Sequence, residues 1–105
     1  MKYMIEYEIR AAGLSHEQNL ASRDALIKTF SKWKPEEGLT VHAFLSHLNN
    51  GGYVLVEAAE PSVVLSFVSK FNYWNDVQVV PVVDVTEAVT AATESLAWAR
   101  AALSD

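Results

Sequence analysis

Hydrophobic and polar positions change period several times along the chain, and each change marks an element. In residues 2–9, KYMIEYEI, Tyr3, Ile5, Tyr7 and Ile9 alternate with Lys2, Met4, Glu6 and Glu8. A period of two rich in aromatic and β-branched residues predicts a strand. Ala-Ala-Gly at 11–13 ends it. Ser15 with Gln18 three residues later is a capping-box pattern, and it predicts a helix to about Trp33 with Leu20, Ile27, Phe30 and Trp33 on one face. Pro35 stops that helix, and PEEG at 35–38 reads as a turn. Strands follow at 39–48 and 53–58, joined by NNGG, a hairpin signal because Asn and Gly tolerate positive φ. Pro61 suits the first turn of a second helix, whose stripe is Val64, Phe67, Val68 and Phe71. NYWND at 72–76 is a polar-aromatic turn before a fourth strand at 77–85. Pro81 in that strand cannot donate to a ladder, which places it on an edge or at a bulge. DVTE at 84–87 is a second capping box and predicts a last helix over 86–103.

The order β-α-β-β-α-β plus a C-terminal helix predicts one α+β domain over residues 1–105, with a ferredoxin-like antiparallel sheet and two helices on one of its faces. Parity sorts the side chains. With Asn50-Gly51 as a two-residue turn, His42, Phe44, Ser46, Leu48, Tyr53, Leu55 and Glu57 share the face away from the helices, joined by Met4, Glu6 and Glu8. Val41, Ala43, Leu45, His47, Val54, Val56 and Ala58 pack under the helices. The fourth strand is apolar on both parities, which reads as burial on both faces. The face away from the helices is therefore expected to be covered, by the last helix or by a second subunit in a face-to-face homodimer that encloses a cavity. Val89, Ala92, Leu96, Ala99 and Leu103 form one stripe of the last helix, and Trp98 projects opposite it.

Composition narrows the function classes. The chain holds no cysteine, which excludes disulfides, thiolate metal sites and a cysteine nucleophile. A net charge of −5 with scattered Lys and Arg argues against a nucleic-acid partner. MKYMIEYEIR lacks the apolar core of a signal peptide, and no apolar run reaches the roughly 20 residues of a membrane helix, so a cytoplasmic protein without membrane partners is expected.

The candidate chemistry lies on the mixed face. His42 and Glu57 stand on paired strands, and a carboxylate beside an imidazole fixes its tautomer and makes an acid/base pair. Glu6 points to the same side, and a carboxyl buried there would be available as a proton donor. Phe44, Ser46, Tyr53 and Leu55 are the expected ligand-binding wall. His47 faces the other way, five residues from His42, and His16 faces solvent. Three histidines without HxH or HxxxH spacing give no metal site. Tyr73 and Trp74, with Asn72, are candidates for a pocket mouth, and the competing reading is a turn whose aromatics seal the core. The absence of GxGxxG, P-loop and GxSxG motifs leaves no cofactor expected.

Four blocks, MKYMIEYEIR, FSKWKPEEGLTV, GGYVLVEAAEPSVV and VQVVPVVDVTEA, resemble successive segments of the DUF3303 family over about residues 1–90. The resemblance implies small bacterial proteins similar to dimeric α+β barrels, and hence a homodimer. Trp33, Gly38 and Glu57 match the family pattern and carry over as structural or pocket-lining positions. A Trp-His-Gly element of the family falls on Leu45, Ser46 and His47, with the histidine displaced by one. The trio Asn72, Tyr73 and Trp74 is similar in residue type to cofactor-free monooxygenases of the dimeric α+β barrel class. Two functions stay open. One is a small-molecule-binding dimer that performs cofactor-independent acid/base or monooxygenase-type chemistry on an apolar or aromatic substrate. The alternative is a non-catalytic ligand-sensing or protein-interaction module.

Overall fold

A computed structural model describes residues 1–11, 13 and 15–104. Ala12, in the middle of the Ala-Ala-Gly stretch, lies outside the described residues. The elements are β1 (Lys2–Ile9), α1 (His16–Lys32), β2 (Thr40–Ser46), β3 (Gly51–Glu57), α2 (Pro61–Phe71), β4 (Asn75–Val82) and α3 (Val85–Leu103). The four strands form one antiparallel sheet in the order β2-β3-β1-β4, the ferredoxin-like arrangement, with β1 central. Local chemistry explains the boundaries. Ser15 Oγ accepts from Gln18 N–H at 3.1 Å, while Gln18 Oε1 accepts from Ser15 N–H at 3.2 Å, so the capping box starts α1. Glu87 Oε2 accepts from Asp84 N–H at the start of α3. Pro81 sits on the edge strand β4, opposite Tyr3, where its missing donor costs nothing.

Tyr3, Ile5, Val54, Val56, Ala58, Val64, Phe67 and Val68 form the core between the sheet and α2, with Leu39 beside them. An aromatic cluster fastens the end of α1 to it. Trp33 stacks on Phe67 at 4.8 Å between ring centroids, and Phe30 meets Phe44 at 5.3 Å and Phe71 at 6.0 Å. Offset and edge-to-face pairs of this kind each add about 0.5–1.5 kcal/mol beyond their buried area. Trp33 Nε1–H donates to the Glu36 carboxylate, which also pairs with Lys70 at 2.6 Å and so ties the α1–β2 connection to α2.

The hairpin differs from the expected register. Ser46 pairs with Gly52, so the connection spans residues 47–50 instead of two residues, with Asn50 at φ 54°. β2 also carries one extra residue, His42, between the pairs Val41↔Val56 and Ala43↔Leu55. Beyond this bulge the parity reverses. Phe44 and Ser46 turn to the helix side, and Ala43 and Leu45 turn outward, the opposite of the regular-strand expectation. The cause is the spacing of Val41 and Phe44. Both pack on the helix side, Val41 against the core and Phe44 in the aromatic cluster, and residues three apart reach one face only with an extra residue between them.

Three further expectations are corrected. Val79 and Val80 are 40% and 52% exposed, so β4 is not buried on both faces within one chain. On α1, Leu26 is buried, while Leu20 and Ile27 stay exposed. Nor does α3 cover the sheet, because none of its residues is buried and it leads away from the domain. The radius of gyration is 19.4 Å, against about 13 Å for a compact chain of this length.

Gly52 tests the register. A Cβ at this position would run into the Leu45 carbonyl and the Tyr7 hydroxyl. Gly52→Ala is expected to lower the unfolding free energy by about 1–3 kcal/mol in urea titrations. The two-residue turn expected from the sequence would leave this substitution nearly neutral.

Candidate functional site

The main cavity lies on the helix side of the sheet, not on the open face. It is a cleft of about 580 Å³ between the sheet, α1 and α2. Ile5, Tyr7, Ile9, Phe44, Ser46, Val54 and Val77 line it from the strands, Leu26, Ile27 and Phe30 from α1, and Phe67, Val68 and Phe71 from α2. It exists because α1 is anchored at one end only. Phe30 and Trp33 hold its C-terminal part, while its N-terminal half offers Gln18, Asn19 and Ser22 and cannot pack down on the sheet. Polar groups in this apolar wall include Tyr7, Asn75 and Arg23 beside Ser46. Tyr7 O–H donates to the Leu45 carbonyl at 3.2 Å, and burial pushes its phenol above the ordinary value, so it stays neutral. Asn75 is 6% exposed and donates through Nδ2 to the Phe71 carbonyl at 3.0 Å, which leaves its Oδ1 buried with no donor. Among the described residues Arg23 is the one charged residue of the lining, and it is exposed.

A smaller annex of about 160 Å³ adjoins the cleft and shares Ile9, Arg23 and Leu26 with it. Arg10, Asn19, Ser22, Asn50 and Trp74 contribute to its walls. Arg10 is committed to Asp76 at 2.9 Å and to the carbonyls of Asn75 and Asn72. A third, shallow groove of about 710 Å³ crosses the outer sides of α1 and α2, lined by Trp33, Tyr73 and Trp74 with Lys32, Lys34 and Lys70. Trp74 thus borders both annex and groove, and Tyr73, 79% exposed, does not seal the core.

The open face carries the expected acid/base candidates. His42 Nε2 and Glu57 Oε1 are 2.7 Å apart across the hairpin. The hydrogen bond from His42 and the nearby charges of His42 and Lys2 hold the Glu57 carboxyl below its ordinary value. Lys2 in turn pairs with Asp84 at 2.8 Å, which pulls Asp84 down and Lys2 up. Glu6 is on the same face, opposite Tyr53 and Gln78, and is exposed. The bulge also brings His47 to this side, where its ring meets Tyr53 edge-on at 6.1 Å and Nδ1 accepts from Asn49 N–H at 3.0 Å. Tyr53 and Leu55 stand where parity placed them. None of His42, Glu57, Glu6, Tyr53 and Leu55 lines any of the three cavities. Phe44 and Ser46 do line the cleft, from the side opposite to the one expected. Among the described residues, no group of three or more His, Asp or Glu is placed to hold a metal ion, and no helix is long and apolar enough to cross a membrane.

Sequence reasoning missed Arg23, Asn75 and the α1 wall. One signal was present: Arg23, Leu26, Ile27 and Phe30 fall at i, i+3, i+4 and i+7, so an arginine occupies a position of the stripe that lines the cleft.

The family model of a domain of unknown function (DUF3303) matches residues 1–96. No curated protein matches the chain. No solved structure matches it either.

Glu57 gives a test by pH. Its folded value is lowered, so its contribution to stability is present above the ordinary carboxylate range and is lost as pH falls through the folded value. Glu57→Gln is expected to lower the thermal midpoint slightly near neutrality, with the gap to the parent chain closing in acid. A gap that stays constant with pH would contradict the His42–Glu57 pair.

Proposed function

The chain belongs to the DUF3303 family, whose description assigns no activity, and we propose from its geometry that the protein binds a small apolar or aromatic molecule in the cleft between α1, α2 and the sheet. The observation that carries this reading is the cleft itself: about 580 Å³ walled by Phe30, Phe44, Phe67 and Phe71. Ligand sites fall between about 300 and 1,000 Å³, are mostly apolar and hold a few polar groups that orient the ligand. Tyr7 and Ser46 supply such groups on the sheet wall. The lining offers no His, Asp or Glu, which supports a binding role over acid/base catalysis in this cleft.

A separate observation favours a homodimer. The open face leaves Leu45, Tyr53 and Val80 exposed, and α3, none of whose residues is buried, exposes Val89, Leu96 and Trp98. A second copy seated there would enclose the His42–Glu57 pair and Glu6, and the acid/base chemistry they suggest depends on that enclosure.

The neutral fluorophore N-phenyl-1-naphthylamine tests the site. Saturable binding is expected. It should weaken by about tenfold or more in Ile27→Asp, which places a charge on the cleft wall. Leu45→Asp, on the open face, should leave it in place. Loss of binding in Leu45→Asp alone would move the ligand to the sheet face, and no saturable binding in the parent chain would remove the reading.

A further inference from the structure

We infer that the ligand is an apolar carboxylic acid, its hydrocarbon or aromatic body in the cleft and its carboxylate in the annex against Arg23. This rests on the proposed binding site and names its ligand class. Cleft and annex are neighbouring cavities whose walls share Ile9, Arg23 and Leu26. The larger cavity is walled by aromatic and aliphatic side chains, and the smaller by Arg10, Asn19, Ser22 and Asn50. An apolar cleft beside a polar annex, with Arg23 in both walls, fits a molecule with an apolar body and a polar head.

The sign of the head group follows from the charges. Arg10 is already paired with Asp76 and donates to the carbonyls of Asn75 and Asn72, so its charge is compensated locally. Arg23 has no ion pair among the described residues, and no carboxylate lines either cavity. One uncommitted, exposed guanidinium is therefore the net charge that the described walls of the two cavities supply. A guanidinium meets a carboxylate through two parallel N–H···O bonds, which a hydroxyl or an amine cannot reproduce. The protein as a whole carries a net charge of −5, so a preference for an anion cannot arise from its overall field and has to come from a local cation.

Octanoate and octanol share one chain length and differ in the head group. Each is titrated against bound N-phenyl-1-naphthylamine on the full chain at low salt. Octanoate is expected to bind about five- to tenfold more tightly than octanol, the range for one charge-assisted pair at a partly open site. In R23Q the ratio should fall to about one, and R23K should keep part of the preference as a point charge without the fork. Raising the salt concentration on the parent chain should shrink the ratio by screening, a reading that needs no variant. Octanol binding as tightly as octanoate would overturn the carboxylate while leaving the apolar site intact. A preference that survives R23Q would overturn the assignment to Arg23. Displacement by neither compound would overturn the carboxylate, and the fluorophore's own saturable binding, lost in Ile27→Asp, shows separately whether the apolar site stands.

Discussion

Val41 and Phe44 are three residues apart and must face the same way. Val41 packs against the core on the helix side of the sheet, and Phe44 closes the cluster of Phe30, Trp33 and Phe67. A regular strand puts such a pair on opposite faces, and turning Phe44 outward would forfeit a good part of the roughly 1.5–3 kcal/mol that a buried aromatic side chain contributes. Inserting His42 as a bulge reconciles the two. Everything functional in the hairpin follows from that residue. His42 is pushed out beside Glu57, Ser46 drops onto the cleft floor, Leu45 turns to the open face, and His47 reaches Tyr53.

The cleft is the consequence of an uneven helix. α1 is held by Phe30, Trp33 and Leu26, and its remaining apolar residues are too few to draw its first turns onto the sheet. Ile27 is left 61% exposed at the cleft wall. Apolar surface in this position is a reserve: a ligand that covers Ile27 and Phe30 gains about 25 cal/mol for each Å² it removes from water. The same contacts would stabilise α1 against the sheet, so ligand binding and the docking of α1 are one equilibrium.

Strand and helix order, the caps of α1 and α3, the edge position of Pro81 and the ferredoxin-like topology were legible, because each rests on local chemistry that the chain displays directly. The faces of β1 and β3 were legible for the same reason. The face of β2 was not, since a bulge is chosen by the partners of Val41 and Phe44 and leaves no mark in the alternation itself. The His42–Glu57 pairing was read correctly although the assumed register was wrong, because His42 sits at the bulge, before parity reverses. The cleft leaves little mark in the sequence because apolar residues on the helix side of a sheet read as filled core. Arg23 within the α1 stripe was the one visible contradiction of that reading.

The cleft and the open face lie on opposite sides of one sheet, and β2 belongs to both. Phe44 and Ser46 wall the cleft, while Leu45 between them stands on the face where a second copy would sit. A ligand against Phe44 and a partner against Leu45 would therefore bear on the same three residues of an edge strand from either side. Tyr7 adds a second tie, since its cleft-lining phenol is hydrogen-bonded to the Leu45 carbonyl. If occupancy of the cleft shifts that carbonyl, it shifts the side chain that faces the partner. Thermodynamic linkage would then require association to alter ligand affinity by the same factor. The bulge that sorts these side chains is thus also the place where the two surfaces are mechanically joined.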